Sequence, residues 1–372
     1  MTVAELTYFA LLRCALWGTA SEAAMPESEV LLLAQRQGTA ALIYDYVLKL
    51  PEELRPPKEI QQQMKAVCAR SMMAHEEQRH VMQKAMKALQ DGGITPVLLK
   101  GLGLARLYPK PYLRSCGDVD IYVGKENYHK GAKVLRDAFP EAELFDEEKD
   151  YYKHYNLTLD RTAIEMHRVS AVYAHPQDAK VYDELEREGL QRNIVPVADD
   201  GGEWNEPERK FNVLFVFVHS WDHFVAESAN MRQLCDLALL LAKHVDNDGL
   251  EEYLRTNLKK LHLLHAWQLY AYIMGKYIGL PQEKCPLYTD ACAAKAELLL
   301  AHILHGSEQP KGSKQPAPKN VVLRKLYTLR ERIREARAIG PIEPHYARHM
   351  VATAFAQSWE RFKKGENTRT WE

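Results

Sequence analysis

None of the six cysteines (Cys14, Cys68, Cys116, Cys235, Cys285, Cys292) lies in a CxxC pair. That excludes a sequence-legible zinc knot or disulfide framework and points to reduced thiols in a cytoplasmic protein. Long hydrophobic runs are equally missing. The longest, Val213–Val218 and Leu237–Ala242, fall far short of the roughly 20 apolar residues a membrane-spanning helix needs. The apolar N-terminal stretch has no basic leader, is interrupted by Arg13 and lacks a cleavage site, so it does not read as a signal peptide. There is no internal repeat. Net charge is almost absent too, −1 from 49 basic and 50 acidic residues. A protein that coats nucleic acid by bulk electrostatics is therefore excluded.

What is present is ordinary globular composition, 46% hydrophobic and 27% charged over 372 residues, enough for two or three domains. The near-neutral charge is a cancellation. Residues 311–372 hold fourteen Lys/Arg against six Asp/Glu, leaving the preceding 310 residues at −9. Patterning divides the chain into an N-terminal helical region (1–90), a small α/β unit (91–200), a helical domain (201–305), a Pro/Gly/Ser/Lys-rich linker (306–320) and a basic helical tail (321–372). A long helix from about Pro57 to Asp91 should end at Gly92-Gly93. Strands are expected at ITPVLLKG and DVDIYV, a helix at Tyr128–Ala138, and a hairpin across Asp160-Arg161. A polar loop is expected near Asp199–Glu203.

Chemistry concentrates in the α/β unit. On a strand, Asp118 and Asp120 face the same way about 7 Å apart. Like charges so placed call for a cation, and carboxylate oxygens suit Mg²⁺ or Mn²⁺. Taken alone, Asp-x-Asp more often marks an exposed sheet face. Upstream, Leu98-Leu99-Lys100-Gly101-Leu102-Gly103 reads as a strand running into a glycine turn and a helix start, a natural phosphate site. Lys100, Arg106, Lys110 and Arg114 form a basic stretch free of acidic residues. Glu165 supplies a third carboxylate on a neighbouring strand, with His167 on the same face.

Four ordered segments, LLKG (98–101), LARLYPKPYLR (104–114), GDVDIYV (117–123) and IEMH (164–167), resemble the DNA polymerase beta-type nucleotidyltransferase superfamily, in particular its uncharacterised bacterial family. The resemblance implies an α+β fold, with a small mixed-sheet palm embedded between helical regions. It implies two metal ions on Asp118, Asp120 and Glu165, the last at the attacking hydroxyl. Gly101 and Gly103 would let the backbone approach the nucleotide, with Lys100, Arg114 and His167 beside it. The expected activity is Mg²⁺-dependent transfer of a nucleoside monophosphate from an NTP, ATP among the candidates, to a small molecule, protein or RNA. Three features depart from the superfamily. Leucine replaces the usual serine after the glycine, the gap from Gly101 to Asp118 is longer, and glutamate is the third acid.

Two other readings stand beside this one: a nucleotide- or RNA-binding regulatory protein without turnover, and a helical scaffold whose aspartates are surface charges. His219 and His223 sit four apart on a helix, where core or surface roles outweigh metal binding; His302/His305 and His345/His349 read the same way. Arg232 and Asp236 suggest either a pocket frame or a structural pair. The basic helix 321–338 could meet an anionic partner, although a solvated outer face is the simpler reading.

Overall fold

The computed structural model describes residues 1–19, 27–144, 153–173, 175–199, 202–225, 229–243, 249–306 and 339–352, with single positions between 327 and 337. The expected linker 306–320, beyond Gly306, and most of the basic helix 321–338 lie outside the described residues.

Three short helices come first: α1 (Val3–Trp17), α2 (Ser28–Arg36) and α3 (Ala40–Val47). At the start of α1 the Thr2 side chain accepts from the Glu5 amide while Glu5 accepts from the Thr2 amide, a reciprocal cap. The long helix α4 (Lys58–Asp91) has 34 residues, about 51 Å at 1.5 Å per residue. It ends at Gly92-Gly93 as expected, with Gly93 at φ +68°.

Strand β1 (Val97–Leu98), helix α5 (Leu102–Ala105), strand β2 (Asp118–Tyr122), helix α6 (Tyr128–Ala138) and strands β3 (Glu143–Leu144), β4 (His154–Leu159) and β5 (Thr162–His167) follow. They form one five-stranded sheet in the order β1-β2-β5-β4-β3, in which only β2 and β5 run parallel. The β4–β5 hairpin turns at Asp160 (φ 49°) and Arg161 (φ 64°), two consecutive left-handed residues whose twist matches the flanking strands.

One sheet face is apolar. Val119, Ile121, Tyr155, Leu157, Ile164 and Met166 pack with Val81, Met82, Ala85 and Leu89 of α4 and with Tyr128, Ala132 and Leu135 of α6. Period-two alternation then forces Asp118, Asp120, Glu165 and His167 onto the opposite face.

After α7 (Pro176–Arg187) the structure departs from expectation. Where a polar loop was expected there is a second hairpin, β6 (Val195–Asp199) paired with β7 (Gly202–Glu206). Trp204 and Glu206 of β7 turn inward, while β6 is Val-Pro-Val-Ala-Asp with no fully buried position and a proline inside it, a signal that demotes a strand reading. The Asn205 side chain donates to the Pro96 carbonyl (3.3 Å), tying the hairpin beside β1.

Helices α8 (Arg209–Val225), α9 (Met231–Ala242), α10 (Leu250–Lys260), α11 (Leu264–Ile273) and α12 (Ala293–His305) complete the body. They share one core with α1–α3. Trp17 donates to the Ile278 carbonyl (2.7 Å) and buried Gln37 donates to the Ile303 carbonyl (3.2 Å). The fold is α+β and helix-rich around a small mixed sheet, as the sequence implies. Among the described residues no helix is long and apolar enough to cross a membrane.

Candidate active site on the polar sheet face

The parallel register sets Asp120 directly beside Glu165, and Asp118 beside Ala163. Asp120 is fully buried. Its Oδ1 accepts from Lys100 Nζ (2.8 Å) and lies 2.9 Å from His167 Nε2. Its Oδ2 is buried with no hydrogen-bond partner. His167 Nε2 also lies 3.4 Å from Glu165 Oε2, and Lys100 Nζ is 3.9 Å from Asp118 Oδ2. One ligand atom each from Asp120, Glu165 and His167 can be chosen so that all lie within 4.8 Å of one another.

The protonation states follow from these neighbours. Burial works against the Asp120 charge, but Lys100 and then His167 overcome it and hold the carboxyl well below its usual range. Glu165 is lowered despite burial by the His167 hydrogen bond. His167 is raised, because Asp120 and Glu165 outweigh burial. Lys100 is raised although burial opposes its charge, since it faces Asp120 and Asp118. Asp118 moves upward, first by burial and then by repulsion from Asp120.

A cation fits this set. Two carboxylates and an imidazole, from Asp120, Glu165 and His167, converge, and one Asp120 oxygen is buried and unsatisfied; Asp118 stands outside that group but bears a repulsion from Asp120 that added positive charge would relieve. The Lys100 ammonium already sits where positive charge is demanded.

Gly101 opens the turn before α5 at φ +63°, ψ −118°. A Cβ there would stand 3.3 Å from the Asp118 carbonyl and 3.8 Å from Asp120 Oδ2, so both the backbone angle and the approach favour glycine. Gly103 is buried in α5, where a Cβ would meet Glu206 and Leu98 at 3.5–3.7 Å.

The basic stretch is largely spoken for. Arg106 makes a bidentate pair with Glu206 (2.8 and 2.6 Å), and Lys110 pairs with Asp45 (2.8 Å). Arg114 is buried in a bidentate pair with Asp236 (2.8 and 2.7 Å), which also accepts from Tyr108 (2.8 Å). Lys100 alone of the four reaches the aspartates. The structure also corrects the suggested Arg232–Asp236 pair: Asp236 takes Arg114, while Arg232 donates to the Ser115 carbonyl (3.0 Å).

Three further histidines bear on the site, of which only His154 has no sequence assignment. Across the hairpin, His154 pairs in register with His167, and its Nε2 lies 3.7 Å from Glu165 Oε2. A two-residue turn at Asp160-Arg161 fixes that register, so the hairpin arithmetic already contained it. His219 and His223 place their Nε2 atoms 3.0 Å apart. Both are depressed by burial and then by the Lys100 charge, His223 to about 4.

Residues 24–279 match the family described as uncharacterised nucleotidyltransferase. No curated protein matches the chain. A crystal structure described as an antigenic nucleotidyltransferase-like protein from Paracoccidioides brasiliensis is similar over 58% of this chain and 96% of its own. At 12% identity and a TM-score of 0.35 that likeness carries no argument here. The match of 24–279 spans well over half of the 372 residues and contains the whole carboxylate cluster, and on that ground the chain belongs to the uncharacterised nucleotidyltransferase family.

Proposed function

We propose that the chain transfers a nucleoside monophosphate from an NTP to a hydroxyl-bearing acceptor, dependent on Mg²⁺ or Mn²⁺, within the DNA polymerase beta-type superfamily. The observation carrying this reading is the buried, unpartnered Asp120 Oδ2 beside Glu165, His167 and Asp118. Asp118, Asp120 and Glu165 would hold the metal, which when bound supplies Lewis-acid stabilisation of the transferring phosphoryl group.

The remaining work falls to the chain itself. Lys100 offers an ammonium to the phosphates, and the Gly101–Gly103 backbone gives them close approach. Glu165, kept ionised by His167, receives the proton of the acceptor hydroxyl. The acceptor oxygen bonds to the α-phosphorus, the bond to the bridging oxygen breaks, and pyrophosphate leaves. Arg114 serves by fixing the segment that leads into β2 through Asp236, so it positions the aspartates.

The test is transfer of label from α-³²P-NTPs to pooled small-molecule, RNA and protein acceptors. Transfer that needs a divalent cation and disappears in Asp120→Asn and Glu165→Gln supports the reading. Label transfer that survives both substitutions sinks it. NTP binding without transfer across all acceptor pools identifies a binding protein instead.

A further inference from the structure

A second cluster of metal-type side chains lies outside the carboxylate site. His175 stands at the N-cap of α7 and Asp178 in its first turn. His349 comes from the helix entered at residue 344, far along the chain. Asp178 is buried, at 4% exposure. Its Oδ2 lies 2.5 Å from His349 Nε2, and its Oδ1 lies 3.5 Å from His175 Nδ1. That His175 nitrogen is buried with no hydrogen-bond partner. The two imidazoles lie 5.1 Å apart and tilted at 49°, and the His262 ring lies 4.4 Å from His349, tilted at 36°. His262 is held there at φ 58°, a left-handed conformation that side chains rarely adopt.

We propose that His175, Asp178 and His349 form a binding site for a first-row transition-metal ion of the zinc type, with His262 beside it. One ligand atom from each of the three lies within 4.8 Å of the others. A tetrahedral zinc with bonds of about 2.0–2.2 Å needs donors about 3.3 Å apart, so small side-chain rotations suffice. Imidazole nitrogens with a single carboxylate select zinc-type ions over Mg²⁺, while the other cluster, with two carboxylates to one imidazole, is richer in oxygen donors. The unsatisfied His175 Nδ1 gains a partner, and the buried Asp178 charge gains a countercharge. The ion would clasp the helix entered at 344 onto α7. That helix is already capped by Glu343, which accepts from the His345 amide (3.1 Å) and contacts His265.

The site is tested on the full chain by equilibrium dialysis against Zn²⁺ in millimolar Mg²⁺, with metal counted by mass spectrometry. One equivalent of zinc is expected, and it should remain in Asp120→Asn/His167→Gln, which disables the other cluster. His175→Gln and His349→Gln should each weaken binding at least about 100-fold. No bound zinc in the wild type, or unchanged affinity in both glutamine variants, overturns the proposal. Co²⁺ substitution of the wild type provides a readout that needs no variant to fold. Strong visible absorption of a tetrahedral site is expected, and the weak bands of octahedral cobalt count against it.

Discussion

Two buried ion pairs lie within a few residues of one another and are built to opposite ends. Arg114–Asp236 is complete: a bidentate fork, and a third donor from Tyr108. Lys100–Asp120 is incomplete: one oxygen holds both donors and the other holds none. A satisfied pair has nothing left to offer a ligand and acts as a fastener. An unsatisfied one keeps a demand for charge in the protein interior, at a cost that only a ligand can offset. The difference separates scaffold from site among residues that look alike in sequence.

The comparison breaks most visibly at Asp120. Asp120→Asn should reduce label transfer by at least about 10³-fold while circular dichroism stays native, because a charge-stabilising group is lost without loss of shape. Asp236→Ala should do the reverse. It strands a buried guanidinium and should cost about 3–5 kcal/mol in the denaturant midpoint. The double variant Arg114→Met/Asp236→Leu should recover part of that loss, since no charge is left unpaired. Lys100→Gln should act on both, weakening NTP affinity by about 10–100-fold, read by isothermal titration, and lowering stability as well, because buried Asp120 keeps only His167 beside it. The smallest effect is in pH. His167 is raised in the metal-free fold, so its contribution is full below its ordinary value of 6.5 and is lost as pH rises through the folded value. Thermal melts should show that decline in the wild type and not in His167→Gln.

Much of the site was legible because strand alternation is local. Asp118, Asp120, Glu165 and His167 fall on one face by counting, and the register across β2 and β5 sets Asp120 beside Glu165. The fate of the basic stretch was not legible. Arg106, Lys110 and Arg114 look like a phosphate cradle until Glu206, Asp45 and Asp236 arrive from 65 to 122 residues away. The β6–β7 hairpin escaped because Pro196 interrupts the first strand and only Trp204 is a buried apolar residue in the second. The shared helical core escaped because a helix's apolar stripe shows that it packs, never against what. His349 escaped for the same reason: its partners, His175 and Asp178, lie more than 170 positions upstream.

The bond from Trp17 to the carbonyl of Ile278 spans 261 residues. α1 is synthesised before the surface that covers Phe9, which includes Tyr277, their rings 5.1 Å apart. Until that partner is synthesised, Phe9 and Trp17 lack their final cover. The sheet, whose β2–β5 pairing closes within 50 residues, can assemble earlier. α1 therefore waits for a partner made 261 residues later.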